Sequence, residues 1–301
     1  MTLITKRRIY QKRMLIAVFV FLLVCFVAFF FQWIYVPLTT NFGGPDFAYI
    51  KGGTPATARW HQICQGFQLD KWMTTVVNFP FPLLPLMPSI FAYNFLKEKS
   101  GYFTNAYTRI GDYRRFMWKS VGVHALLSGV YFYATYLVFL AVGMVLSATV
   151  FYDNTVYGAE ARKVLGTAWA INPHYYTKSF LANVFGKYFF NHFPIEFYVL
   201  FGLVATFVFG VVYGLFTISV SFLTDKKYLS VLIPYIYFVF GSLLFSLLLN
   251  RLLIFAPIST FGALAFNREG TLSSVLPLAV PLLFSLVVLR IKIHRGDKLG
   301  F

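Results

Sequence analysis

Apolar and polar residues alternate along this chain in long blocks, not at the short periods of a soluble fold. An α-helix needs about 20 apolar residues to cross the hydrocarbon core of a bilayer, and six blocks reach roughly that length. The pattern predicts an all-α integral membrane protein with six transmembrane helices. The predicted spans are 15–36, 76–96, 121–151, 196–223, 228–249 and 271–289.

The second predicted span is rich in proline, at Pro80, Pro82, Pro85 and Pro88. Proline lacks a backbone donor and clashes with the preceding helical turn. We therefore expect the outer half of this span to be kinked or non-helical, and sheltered by other helices or by water.

The remaining segments are predicted to lie outside the bilayer core. Residues 38–74 are polar and predict an external loop, with a surface helix near 56–72. The longer external loop 153–193 has weakly amphipathic pieces near 159–170 and 178–191. Residues 251–270 are apolar, but Pro257 and Gly262 interrupt them, so we expect a re-entrant or interfacial segment before the sixth span.

Composition agrees with a single membrane domain over 1–301. Apolar residues make up 58% of the chain and charged residues 12%, about half the charge of an average soluble domain. The first apolar block ends in an aromatic belt, FFFQWIYVP, and not in a small-residue cleavage site, so it predicts a retained helix in preference to a signal peptide. The net charge of +16 suggests basic loops at anionic headgroups, not nucleic-acid binding.

The basic residues are distributed unevenly between the two sides of the predicted topology. The N-terminal segment, 97–120, 224–227 and the C-terminal tail hold 17 of the 26 lysines and arginines, and the other loops hold nine. The positive-inside rule then places both termini and the 97–120 segment in the cytoplasm.

Several classes of chemistry lack a motif in this sequence. There is no H-E-x-x-H zinc motif, no G-x-x-x-x-G-K-[ST] phosphate loop and no G-x-S-x-G nucleophile elbow. Cys25 and Cys64 offer no disulfide framework or metal set, and His124 is expected to be a hydrogen-bonded helix residue. We expect neither enzymatic activity nor a cofactor in this chain.

The segment from Glu98 to Lys119 carries the clearest functional pattern. It follows one predicted span, combines basic residues with aromatic anchors, and ends where the next span begins. Such an element could lie on the membrane face and dock into a soluble partner, although an ordinary positive-inside loop has the same composition. The candidate partner-binding residues are Glu98, Gly101, Thr104, Arg109, Arg114, Arg115 and Lys119.

The order of these residues resembles the ABC-2 family of bacterial ABC exporter permeases. Two features depart from that family: Ala106-Tyr107 where a proline is common, and a long external loop between spans three and four. The resemblance implies that the 97–120 segment contains a cytoplasmic coupling helix, and that the chain lies in the bacterial cytoplasmic membrane. It also implies a separate cytoplasmic ABC ATPase subunit that holds ATP and magnesium, and a second permease copy or related permease.

Two functions remain open at this point. The first is the permease of an ATP-driven exporter for a hydrophobic or amphipathic substrate, such as a peptide, drug or lipid-like molecule. The second is a non-transport scaffold or immunity protein that binds a peptide through its external aromatic loops. An ATPase encoded beside the gene is expected only for the first.

Overall fold

The computed structural model is helical in the parts of the chain that it describes, which are residues 3–39, 55–69, 71–72, 75, 81–99, 112–166, 194–224, 226–247, 256–257 and 272–294. The α-helices in these ranges are α1 (Leu3–Phe30), α2 (Val36–Thr39), α3 (Pro55–Gly66), α4 (Leu86–Glu98), α5 (Tyr113–Phe151), α6 (Val156–Leu165), α7 (Pro194–Val220), α8 (Lys227–Leu247) and α9 (Leu272–His294). A π-helical turn, Phe31–Tyr35, joins α1 to α2.

Five stretches of helix are long and apolar enough to cross a membrane. They are Met14–Thr39, Tyr113–Phe151, Gly202–Val220, Lys227–Phe245 and Leu276–His294. Each coincides with one of the predicted spans, and large apolar side chains on their outer faces, such as those of Leu15, Val145 and Leu283, are exposed. A water-soluble surface does not carry so many exposed apolar side chains in contiguous faces, so the all-α, multi-pass membrane class is confirmed.

The predicted second span is represented by the shorter helix α4. Its 13 residues span about 20 Å, less than the ~30 Å of a hydrocarbon core. A 3-10 turn, Phe81–Leu83, precedes it, and α4 begins directly after Pro85. The predicted interruption of the α-helix is thus confirmed over 81–85, where a 3-10 turn and a further turn replace it, whereas 76–80 lie outside the described residues. The described structure has five helices of spanning length, not six.

Helix α5 begins earlier than the sequence predicts. The predicted third span starts at residue 121, whereas the helix starts at Tyr113. Its 39 residues measure about 58 Å, nearly twice the thickness of a hydrocarbon core. Arg114 and Arg115 therefore lie in the first turn of α5, and the prediction that they belong to a separate element before it is wrong, whereas Lys119, predicted at the start of this helix, lies in its second turn.

Helix α7 is the centre of the bundle. It packs against α4, α5, α8 and α9. In its most apolar stretch of 18 residues 67% of the residues are buried, whereas the share is 22–33% in the corresponding stretches of the other four spans. Aromatic rings fill the space around it. The buried rings of this core belong to Phe21, Phe29, Trp72, Phe91, Phe132, Tyr136, Phe139, Phe209, Tyr213, Phe216 and Phe238.

Two short helices cover the end of the bundle where α5 finishes. Helix α3 corresponds to the predicted surface helix and packs against α6, which covers part of the predicted 159–170 piece. Cys64 of α3 is buried against Ala161 and Leu165 of α6. The predicted helical piece at 178–191 lies outside the described residues, and so does the predicted re-entrant segment except for residues 256–257.

Candidate functional site

The opposite end of the bundle, where α4 ends and α5 begins, is the candidate functional site. A second hydrophobic cluster joins four helix ends there: those of α4, α5, α7 and α9. Its buried residues are Ala92, Phe95, Leu96, Met117, Val121, Ala125, Leu215, Ile218, Leu289 and Ile293. We call this end the basic end, because the basic residues around it include Lys97, Lys99, Arg114, Arg115, Lys119, Lys226, Lys227, Arg290 and Lys292.

The basic end includes four of the seven residues that the sequence predicted for partner binding. Glu98 is the last residue of α4, and Arg114, Arg115 and Lys119 are exposed on α5. Gly101, Thr104 and Arg109 belong to 100–111, which lies outside the described residues. The structure therefore describes both flanks of the predicted coupling segment, and not its middle.

Glu98 makes a specific contact with α5. Its Oε2 atom lies 3.4 Å from Nε2 of His124, whose Nδ1 atom lies 2.8 Å from the carbonyl oxygen of Ser120. A carbonyl oxygen can only accept a hydrogen bond, so Nδ1 of His124 carries a hydrogen atom. The contact between Nε2 and Glu98 is then a hydrogen bond when one further proton lies between these two groups, either on Nε2 or on the carboxyl group. The His124 ring also packs edge-on against Phe95 of α4, with centroids 5.5 Å apart.

The expectation that His124 is a hydrogen-bonded helix residue is confirmed by its bond to Ser120. Its contact with Glu98 was not predicted, because the two residues are 26 positions apart in the sequence. The contact ties the end of α4 to α5.

Lys99 makes a second contact between helices, which the sequence did not reveal. Its Nζ atom donates a 2.5 Å hydrogen bond to the carbonyl oxygen of Ser221, directly after the end of α7. The same ammonium lies 4.7 Å from the ring centroid of Phe222. Nothing in the spacing of Lys99 and Ser221 signals this contact, which depends on how α4 and α7 pack.

The start of α5 is fixed by a local cap. Asp112 is the N-cap residue, and its Oδ1 accepts a hydrogen bond of 3.0 Å from the backbone N–H of Arg115. A carboxylate at this position satisfies one of the unpaired N–H groups of the first turn and interacts favourably with the helix dipole. The cap holds the first turn, and with it Arg114 and Arg115, at a defined place on the surface.

Small residues bring α5 and α7 into close backbone contact. A Cβ atom added at Gly210 would lie 2.8 Å from the Cα atom of Gly129, and one at Gly214 would lie 2.6 Å from Cβ of Ser128. Gly210 and Gly214 form a G-x-x-x-G motif, which in an apolar helix indicates a close helix–helix contact. The contact between α5 and α7 was not predicted from the sequence, although the G-x-x-x-G motif is a sequence signal for such a contact.

The buried polar residues described in the bundle carry hydroxyls, not charges. They are serines and threonines only, and several join helices in pairs. Ser89 of α4 and Thr217 of α7 are 2.8 Å apart, and Ser219 of α7 donates to Ser285 of α9 at 3.3 Å. Hydroxyl pairs of this kind hold helices together inside a membrane without the desolvation cost of an ion.

The basic end offers positive charge on a rigid support, and its chemistry suits a negatively charged surface. Glu98 and Asp112 are the acidic residues described there, and each is engaged in a contact given above. Within the described ranges no group of three His, Cys, Asp or Glu residues could hold a metal ion.

Comparisons of the chain with protein-family models, curated proteins and solved structures found no match.

Proposed function

We propose that this chain is the membrane-spanning permease subunit of an exporter powered by a separate ATPase subunit. In this proposal the chain crosses the bilayer six times, with α4 as the second crossing, and its basic end faces the cytoplasm. The observation that carries the proposal is the pair of contacts at the end of α4, from Glu98 to His124 and from Lys99 to Ser221.

These contacts are what a coupling element requires. A segment that receives movement from a soluble partner must be attached to helices that move with it. The segment 100–111 is flanked by α4 and α5, and its first flank is bonded to both α5 and α7. Force applied to this segment would act on three packed helices, and not on a loose loop.

The charge distribution supports an acidic partner at the same end. Arg114 and Arg115 are exposed on the first turn of α5, next to the segment. A guanidinium group can hold a carboxylate with two parallel hydrogen bonds, so these residues suit the acidic surface of a protein. In the proposed complex they contact the ATPase subunit, which holds ATP and magnesium.

The interior supports a hydrophobic or amphipathic substrate. Aromatic rings and hydroxyls line the described helix interfaces, and the described buried residues include no acid or base. A small, highly charged substrate would have no counter-charge along such a path. A peptide, drug or lipid-like molecule with few charges fits this chemistry better.

The test compares variants in a complex formed with an ATPase encoded beside the gene. Glu98→Ala and Arg114→Ala should leave membrane insertion and protein level nearly unchanged, because Arg114 is exposed and Glu98 is not in the core, so each change costs about 1 kcal/mol. Transport, and ATP hydrolysis stimulated by substrate, should fall several-fold. Arg290→Ala is the matched control, since Arg290 is exposed at the same end but on α9.

Pull-down of the ATPase subunit alongside transport separates lost docking from lost coupling. Full activity in both Glu98→Ala and Arg114→Ala would overturn the assignment of the coupling segment. Failure of the wild-type chain to bind any ATPase would favour the alternative of a non-transport scaffold or immunity protein.

A further inference from the structure

Two consecutive residues at the end of α4 bond to two different helices. Glu98 contacts His124 of α5, and Lys99 contacts Ser221 and Phe222 at the end of α7. The two contacts have different consequences for the packing of the helices. Helix α5 follows α4 directly in the chain, whereas α7 is distant from α4 in sequence, so the Lys99 contact joins two elements that the chain itself does not connect. Lys99 is therefore a polar contact between the end of α4 and the end of the central helix, beside the ring contact between Phe95 and Phe222.

The chemistry of the Lys99 contact is that of a helix C-terminus. The last carbonyl groups of an α-helix lack intrahelical donors and carry the negative end of the helix dipole. Helix α7 ends at Val220, and the carbonyl oxygen of Ser221 follows it. An ammonium at this position satisfies an acceptor and is further stabilised over the Phe222 ring, and its residue is half-buried.

A second contact lies deeper in the same interface. Ser89 bonds to Thr217, ten residues before Lys99 on α4, which corresponds to about 15 Å along the helix. The α4–α7 interface is thus held by polar contacts at two heights. A tilt of α4 about the Ser89–Thr217 contact would displace the end of α7 more directly while Lys99 remains bonded to it than through the apolar packing of Phe95 and Phe222 alone.

We propose that Lys99 is the positioning residue that couples movement at the end of α4 to the end of α7. The inference rests on the proposed function for what drives the movement. Lys99 does not contact the substrate in this scheme. It makes the end of α4 and the turn between α7 and α8 move as one unit.

The first experiment needs no partner and measures the attachment directly. Spin labels are placed at Lys97→Cys and Leu223→Cys in a chain in which Cys25 and Cys64 are replaced by alanine. The distance distribution between the labels should be narrow in this background and clearly broader when Lys99→Met is added. Methionine keeps the length of the side chain and removes its charge, whereas Lys99→Arg should preserve the narrow distribution.

The second experiment measures coupling in the complex with the ATPase subunit. Lys99→Met should bind the ATPase normally and hydrolyse ATP, but transport per ATP should fall about five-fold, the size of a modest coupling energy. Lys99→Arg should restore most of the loss. Lys97→Met is the matched control, because Lys97 lies over the Tyr93 ring of its own helix at 5.3 Å and so does not depend on α7 for this contact.

The two experiments fail in distinguishable ways. A purely structural role for Lys99 would lower protein level and thermal stability without changing transport per ATP, and would overturn the inference. An unchanged distance distribution in Lys99→Met would also overturn it, whatever partner the chain has. If the wild-type chain neither binds an ATPase nor transports, the proposed function falls, and Lys99 is then rejected as a coupling residue even where the distances broaden.

Discussion

At the scale of single residues, the contact between α5 and α7 depends on the missing side chain of Gly210. A Cβ atom at this position would meet the backbone of Gly129 at 2.8 Å and the carbonyl oxygen of Ser128 at 3.0 Å. Backbone atoms cannot move aside as a flexible side chain can. Packing in a protein interior tolerates little added volume, so this position tests how tightly the two helices are held.

We predict opposite effects for alanine at two helical glycines. Gly210→Ala should lower thermal stability in detergent, at a cost of about 1–3 kcal/mol, because the two helices must separate. Gly122→Ala should leave stability unchanged or raise it by up to about 1 kcal/mol, since its Cβ would meet nothing within 4 Å and alanine favours helix. Equal melting temperatures for the two variants would contradict the close contact.

A pH effect is predicted for Asp153, which lies after the end of α5. Hydrogen bonds from the hydroxyl and the backbone N–H of Thr155 lower the pKa of this carboxyl below its usual 3.8. A lowered pKa means that the ionised form stabilises the fold above pH 3.8, and that this contribution is lost as the pH falls through the folded-state pKa. Near neutral pH the contribution is constant.

Thr155→Val removes the hydroxyl whose hydrogen bond makes the largest contribution to lowering the pKa of Asp153. NMR titration should show the Asp153 pKa moving back toward 3.8 in this variant, while Thr149→Val, whose hydroxyl bonds to Leu146, should leave it unchanged. An Asp153 pKa that does not respond to Thr155→Val would show that the hydroxyl does not hold the carboxylate.

At the scale of helices, hydropathy predicted the existence of the long apolar helices better than the residue at which each one begins. The described boundaries of α7, α8 and α9 lie within about five residues of the predicted spans. The start of α5 was missed by eight residues, because its first turns are basic and polar and read as a loop. The proline run in contrast indicated correctly that the α-helix is interrupted in the outer part of the second span, since proline acts on the backbone directly, although Pro88 lies inside α4.

In the candidate site, too, local features could be predicted from the sequence and contacts between helices could not. Glu98, Arg114 and Arg115 became candidate site residues through their order after an apolar block, which is local information. The partners His124 and Ser221 were not identifiable, because they depend on which helices pack side by side. The G-x-x-x-G motif at 210–214 is the one local signal that could have indicated part of that packing.

The cap at Asp112 gives a prediction at this scale. Asp112→Ala removes the acceptor for the Arg115 N–H and should destabilise the first turn of α5 by about 1 kcal/mol. Hydrogen exchange should rise at residues 113–116 and stay unchanged in the middle of α5, and Asp112→Ser should restore protection because serine is also a good N-cap. Unchanged exchange in Asp112→Ala would show that the first turn is held by other contacts.

At the scale of the whole molecule, the folded chain gathers charge at one end that is dispersed in the sequence. Described basic residues from four separate helix ends surround the α4–α5 junction, and the other end carries Arg59, Lys71, Arg162 and Lys163. Hydropathy alone could not show that α7 is the central helix, because several spans are similarly apolar. The uneven distribution of charge between the two ends is what the positive-inside rule uses, and it sets the proposed orientation.

The orientation is tested by labelling with a membrane-impermeant thiol reagent in intact cells. Lys163→Cys on α6 should react from outside, and Lys226→Cys in the turn before α8 should react only after the cells are opened. Both positions are exposed lysines, so they are matched in type and accessibility, and the natural Cys25 and Cys64 are fully buried and should contribute little background. Gly158 is unsuitable for a label, because a Cβ atom there would collide with the carbonyl of Asp153. Reaction of Lys226→Cys in intact cells would place the basic end outside, out of reach of a cytoplasmic ATPase, and would reject the orientation and the proposed function together.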